Sequence, residues 1–190
     1  MTTYSDACWG SQIGNAIPHN IAIPLFKFRS MSGAILYRMG GPVSWKAIRQ
    51  DQTALSSCEA EIFATSEGAK ITVGVRNLAD GFDMAGNPVF DNSEPTLVYN
   101  DNAAAVIWAN STTMKNVRHL ELRENRTREW VQNGTITVLH VAGKINPSDI
   151  FTKEMKDGAH FRRLRDSFMC RLSDFNRITQ QIEFQLRRNP

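Results

Sequence analysis

Hydrophobic and polar positions change period several times along the chain, and each change marks an element. Thr3 to Cys8 is a short opening strand. After a stretch punctuated by Pro18 and Pro24, read as an irregular insertion over about residues 10–29, the runs Ala34–Met39 and Val43–Ile48 flank Gly40-Gly41. That pair tolerates positive φ at both turn positions and predicts a hairpin. The period then lengthens, and Ser56 to about Phe82 is a long helix opened by the capping box Ser56-x-x-Glu59. Its sheet-facing stripe is expected at Ala64, Gly68, Ile71, Val75 and Leu78.

Thr96–Asn100 is a fourth strand, Asn102–Ala109 a short helix, Arg118–Gln132 a charged amphipathic helix closed by Asn133-Gly134, and Thr135–His140 a fifth strand. Asn146-Pro147 looks like an N-cap followed by proline at the first helical position. Phe161, Leu164, Phe168, Leu172 and Phe175 recur at spacings of three and four, which predicts a carboxy-terminal amphipathic helix that packs by its apolar face. The order β-β-β-α-β-α-α-β-α plus a tail implies an α/β fold with a mixed sheet. We expect a domain over residues 1–157 and a basic helical extension over 158–190.

Composition narrows this further. At 190 residues, 42% hydrophobic and 22% charged, the chain can bury a core without disulfides or structural metal. Cys8, Cys58 and Cys170 are odd in number and widely spaced, which argues against a disulfide framework and a zinc knuckle. No apolar run approaches a membrane span, and the amino terminus lacks the regions of a secretory signal. A soluble, intracellular protein, cytoplasmic or nuclear, is expected, without membrane contact and monomeric. The net charge of +3 hides an acidic centre between basic flanks. The pattern suits a polyanion gripped at its periphery around a central cation, but on charge alone solvated helix faces are the favoured account.

Four acids stand out. Glu61 lies three residues before Ala64, at the end of the core-facing stripe, where a carboxylate is costly unless paired, protonated or metal-bound. Asp6 falls within the first strand, and Asp101 ends the fourth on the face of Leu97 and Tyr99. Asp149 sits three residues after Asn146. Each has a structural alternative: a satisfied helix-end carboxylate for Glu61, a turn or cap for Asp6 and Asp101, and a favourable helix dipole for Asp149.

The segments Tyr4-Ser5-Asp6-Ala7, Ser30-Met31-Ser32-Gly33, Gly41–Lys46, Ala54–Glu61, Tyr99–Asn102, Arg118–Arg123 and Ser148–Lys153 resemble, in order, the ribonuclease H domain of copia-type retrotransposon polyproteins. The resemblance implies a ribonuclease H-like fold, with a five-stranded mixed sheet flanked by helices, and hydrolysis of the RNA strand of RNA·DNA hybrids. It also implies that Asp6, Glu61, Asp101 and Asp149 are the metal-binding catalytic carboxylates. Two Mg2+ ions, with Mn2+ as substitute, then activate water and stabilise the departing 3′ oxygen. Without metal, the crowded acids should hold at least one proton near neutral pH.

Ser56 and Ser57 are candidates for contact with the RNA strand, Lys115, Arg118, His119, Arg123 and Arg126 for the DNA phosphates, and Asn102 for the substrate. Capping and solvated helix faces are the competing roles. Trp9, Trp45, Trp108 and Trp130 are expected in the core rather than stacked on bases. A reverse transcriptase or polyprotein neighbour is the expected partner. Where cellular ribonucleases H carry a loop histidine, the alignment places Val141, leaving His140 a structural role at a strand end. Two alternatives stay open: a hybrid- or nucleic-acid-binding module without catalysis, and an integrase or transposase core.

Overall fold

Five strands are present: β1 (Thr2–Cys8), β2 (Met31–Arg38), β3 (Gly41–Arg49), β4 (Thr96–Asn100) and β5 (Ile136–His140). They form a single sheet in the order β3-β2-β1-β4-β5 in this computed structural model, which describes residues 1–10, 29–83, 92–112 and 122–169. β1 runs antiparallel to β2 and β2 to β3, whereas β1–β4 and β4–β5 are parallel. β1 is therefore the pivot between an antiparallel meander and a parallel pair. Helices α1 (Ser57–Asp83), α2 (Ala103–Asn110), α3 (Leu122–Gln132) and α4 (Gly158–Asp166) complete the α/β chain. A mixed five-stranded sheet with flanking helices is the architecture expected from the ordered motifs. No helix among the described residues is long and apolar enough to cross a membrane.

The hairpin turns one residue earlier than expected. Met39 and Gly40, with φ of 51° and 82°, form the two-residue loop, and Gly41 already pairs with Arg38. The slip follows from register. β3 alternates in exposure with its odd positions outward, and an irregularity between Leu36 and Tyr37 shifts the ladder by one.

The start of α1 is capped by Ser56, whose Oγ accepts from the Glu59 N–H at 3.1 Å. Glu59 reaches back to the Leu55 N–H at 2.6 Å, one residue before the position a strict capping box uses. The face of α1 against the sheet departs from the expected apolar stripe. Leu78 is 62% exposed, and the buried line runs through Glu61, Thr65, Gly68 and Thr72. Hydroxyls are tolerated there because each is satisfied. Thr65 donates to the Glu61 carbonyl and Thr72 to the Gly68 carbonyl, both at 2.8 Å, and the Thr72 hydroxyl also pairs with that of Thr3 at 2.6 Å. Gly68 lets the helix approach closely, since a Cβ there would stand 3.3 Å from the Ser5 Cβ.

The apolar core lies on the same side of the sheet. It gathers Ile62 and Phe63 of α1, Val98 of β4, Trp108 of α2, and Ile136 and Val138 of β5. Thr127 of α3 bonds Ser66 of α1 at 3.1 Å, and Asn110 at the end of α2 donates to the Val138 carbonyl at 2.8 Å. Trp9 and Trp45, expected in the core, are 55% and 63% exposed.

The chain divides into two compact units, Met1–Glu154 and Met155–Pro190. The first contains the sheet and α1 to α3. In the second, Asp157 caps α4 by accepting from the Ala159 and His160 N–H groups. Leu164 is buried, while Phe161 is 38% exposed. The expected helical positions Leu172 and Phe175, and most of the insertion near 10–29, lie outside the described residues.

Candidate metal centre

Parallel pairing of β1 with β4 sets Ser5 opposite Asn100, so Asp6 and Asp101 stand next to one another at the carboxyl ends of neighbouring strands. In open sheets that edge, beside a change of strand direction, is where binding clefts form. Glu61, in the second turn of α1, points to the same place. One oxygen from each of Asp6, Glu61 and Asp101 lies within 4.8 Å of the others. Asp6 has no exposed surface, and Glu61 is 8% exposed.

Asp149 arrives on a different support. The segment after β5 forms two single 3-10 turns, Gly143–Ile145 and Pro147–Phe151, in place of the α-helix that Asn146-Pro147 suggested. Asn146 caps the second turn, its Oδ1 accepting from the Ser148 N–H at 3.2 Å, while its Nδ2 donates to the Ser5 carbonyl at 2.9 Å. This one amide ties the turn to β1. Asp149 lies outside the group of three acids and is joined to it through Lys153, whose Nζ donates to Asp149 Oδ1 at 2.8 Å and to Asp6 Oδ1 at 3.1 Å. The Thr152 hydroxyl donates to the other oxygen of Asp6.

Two glycines make these approaches possible. A Cβ on Gly33, which pairs with Asp6, would come within 2.9 Å of the Ser148 carbonyl oxygen and the Phe151 Cβ. On Gly143 it would stand 2.8 Å from Asp101 Oδ2. The centre is also braced from beneath. Asn100 Nδ2 donates to Glu61 Oε2 at 3.0 Å and to Ser5 Oγ at 3.3 Å, and Asn100 Oδ1 accepts from the Asn102 N–H at 2.8 Å.

Burial is the largest cause raising the acids above the ordinary carboxylate range, with mutual repulsion second to it among the upward effects. Asp6 is pushed up to about 7 by burial, with Asp149 and Asp101 adding to the rise and Lys153 and Thr152 opposing it. Glu61 is pushed up to about 8 by burial and by Asp6, against the Asn100 hydrogen bond. Asp101 is also raised, mainly by burial. For Lys153, burial works against the ammonium, but Asp6 and Asp149 outweigh it and hold the charge well above the usual lysine range. Burial likewise raises the Cys8 and Cys58 thiols, so neither has the character of an activated nucleophile.

The donor set fits a hard divalent cation: the three clustered groups are all carboxylates, and no histidine or cysteine belongs to the cluster. Oxygens this close and this buried favour either protons or a cation.

Ser56 is committed to capping, whereas the neighbouring Ser57 is exposed. Asn102 caps α2, accepting from the Ala104 and Ala105 N–H groups, and so takes the role that Asp101 could have filled. Lys115, Arg118 and His119 lie outside the described residues, as does the side chain of Arg123. His140 Nε2 is 3.1 Å from the Asp101 carbonyl oxygen, and Val141 is buried. Sequence reasoning gave no part in the centre to Asn100, Asn146, Thr152, Lys153, Gly33 or Gly143. The Ser148–Lys153 segment and the i,i+4 spacing of Asp149 and Lys153 were the signals available for the lysine.

No family model matches the chain. The retrovirus-related Pol polyprotein from transposon TNT 1-94 of Nicotiana tabacum is 27% identical over 126 residues, covering 66% of this chain and 9% of the polyprotein. That from transposon RE2 of Arabidopsis thaliana is 26% identical over 156 residues, covering 82% and 10%. The chain thus spans about a tenth of the length of the curated relatives it matches. They are transposon polyproteins, as the ordered motifs imply. Among solved structures, RNase H1 from Halobacterium salinarum is 15% identical with a TM-score of 0.48, covering 77% of this chain and 89% of its own. LC11-RNase H1, isolated from compost by a metagenomic approach, is 14% identical with a TM-score of 0.48, covering 83% and 96%.

Proposed function

We propose that this chain is a ribonuclease H that hydrolyses the RNA strand of RNA·DNA hybrids as part of a retrotransposon polyprotein, in company with a reverse transcriptase. The observation that carries the reading is the convergence of Asp6, Glu61 and Asp101 at one sheet edge, with Asp149 one lysine away. Similarity to transposon Pol polyproteins supports the same context.

Asp6, Glu61, Asp101 and Asp149 are the residues that would hold two Mg2+ ions, with Mn2+ as substitute. Bound there, the cations supply a polarised water and charge stabilisation for the departing 3′ oxygen. The chain's own part is orientation. Asn100 fixes the Glu61 carboxylate, Thr152 fixes Asp6, and burial keeps the carboxylates screened from bulk water. Burial also has an electrostatic consequence: near neutral pH the metal-free site retains a proton on Asp6 or Glu61, which a cation must expel.

Selectivity for the hybrid follows from contacts beside the cleft. The exposed Ser57 at the start of α1 offers a hydroxyl to the RNA 2′-OH, with Ser56 beside it and Asn102 beside Asp101 as further candidates. Lys115, Arg118, His119 and Arg123 supply positive charge for the DNA phosphates.

The test offers the protein an RNA·DNA hybrid, duplex DNA and duplex RNA with Mg2+, alongside Asp6→Asn and Asp101→Asn. Cutting of only the hybrid's RNA strand by wild type, lost in both variants, is the expected result. Hybrid binding without cleavage would favour a non-catalytic module, and nicking or joining of DNA a transposase-type core.

A further inference from the structure

Lys153 is a cation already installed between the carboxylates. Its ammonium donates to one oxygen of Asp6 and one of Asp149, the acid that stands apart from the three-carboxylate group. The two acids differ in access: the side chain of Asp6 is fully buried and that of Asp149 is 11% exposed. The lysine side chain is 39% exposed, so the ammonium can withdraw towards solvent without disturbing the core. It also follows Asp149 by four residues, just beyond the end of the turn that carries Asp149, so the pairing is local and reversible.

An ammonium and a divalent cation held against the same two carboxylates repel each other strongly at this range. We propose that Lys153 is a displaceable counterion: it bridges Asp6 and Asp149 in the metal-free protein and competes with the divalent cation that would use Asp149. This rests on the metal-binding reading given above. Lys153 then sets the affinity of the site and keeps Asp149 positioned until a cation arrives. By this arrangement the two metal positions are unequal. One is bounded by three acids with Asn100 beneath, and the other opens only when the ammonium leaves.

Titration of the full chain with Mn2+, followed by calorimetry and by manganese electron paramagnetic resonance, tests this. Lys153→Met removes the charge with little change of shape, and Lys153→Gln keeps a neutral donor for the case in which the methionine variant fails to fold. Both should bind Mn2+ about tenfold or more tightly than wild type, while Lys153→Arg stays near wild type. Without metal, the neutral variants should melt lower than wild type, and saturating Mn2+ should raise their midpoints further than it raises that of wild type. The gain should shrink when Asp149→Asn is added, because the competed ligand is gone. If wild type binds Mn2+ in an Asp6-dependent way but the neutral variants bind no more tightly, the counterion role is wrong and the metal site stands. If wild type binds no Mn2+, or Asp6→Asn binds as well as wild type, the metal-site reading falls and this inference with it.

Discussion

The amide of Asn100 donates to Glu61 Oε2 across 39 residues of sequence, linking the last residue of β4 to the second turn of α1. The bond stabilises the ionised form of a carboxylate that burial otherwise pushes up to about 8. Asn100→Ala should therefore raise the Glu61 titration further, measured by carbon-detected NMR of the side-chain carboxyl. It should also cost about 1–3 kcal/mol in denaturant unfolding, because Ser5 and the Asn102 N–H lose a buried partner as well.

Gly33→Ala tests the seat of the Asp149 turn. The added methyl meets backbone at the Ser148 carbonyl, where no flexible side chain can yield. A loss of about 1–3 kcal/mol is expected in urea unfolding, together with a weaker response of the melting midpoint to Mg2+. An alanine at Gly74, where a Cβ meets nothing within 4 Å, is the control: it should raise unfolding stability by about 0.5–1 kcal/mol through helix propensity and leave the Mg2+ response near wild type.

The pH dependence of metal-free stability has a definite sign. Asp6 and Glu61 titrate at about 7 and about 8 in the folded chain, against 3.8 and 4.5 as ordinary values. Between those limits the folded state binds more protons than the unfolded one, so stability falls as pH rises from about 4 to about 8. The loss is on the order of 1.4 kcal/mol for every tenfold difference in proton affinity between the folded and unfolded chains. Urea unfolding across that range, repeated with Asp6→Asn, measures it, and the variant should show the shallower slope.

The hydroxyl pair Thr3–Thr72 holds β1 against α1 in the absence of an apolar stripe. Thr72→Val should cost about 1–2 kcal/mol by leaving the Thr3 hydroxyl without this partner, and adding Thr3→Val should recover part of the loss. Thermal melting of the two single variants and the double variant closes the cycle.

Strand order and helix positions were readable because period and turn residues carry them, as at Thr96–Asn100 and Ser56–Glu59. The stripe on α1 was misplaced because hydrophobic spacing is blind to threonines satisfied by their own helix. Thr65 and Thr72 are buried at positions that a hydropathy count assigns to solvent. The hairpin was set one residue late because strand register, which brought Met39 to positive φ, outweighs local glycine preference. Asp6, Glu61, Asp101 and Asp149 were visible as acids out of place. The bonds from Asn100 to Glu61, from Asn146 to Ser5 and from Lys153 to Asp6 were not, since each joins segments whose proximity depends on the completed sheet.

The Asn146 amide reaches Ser5 over 141 residues, and the Thr152 hydroxyl reaches Asp6 over 146. The bonds that tie β1 to the last turn therefore form only once residues 146 to 152 are present in the same chain. A cut between Asp101 and Asn146 would leave Asp6, Glu61 and Asp101 on one fragment and Asp149 with Lys153 on the other. The four-acid arrangement is thus a property of the chain from Ser5 to Lys153 as a whole, since no shorter stretch holds both ends of these bonds.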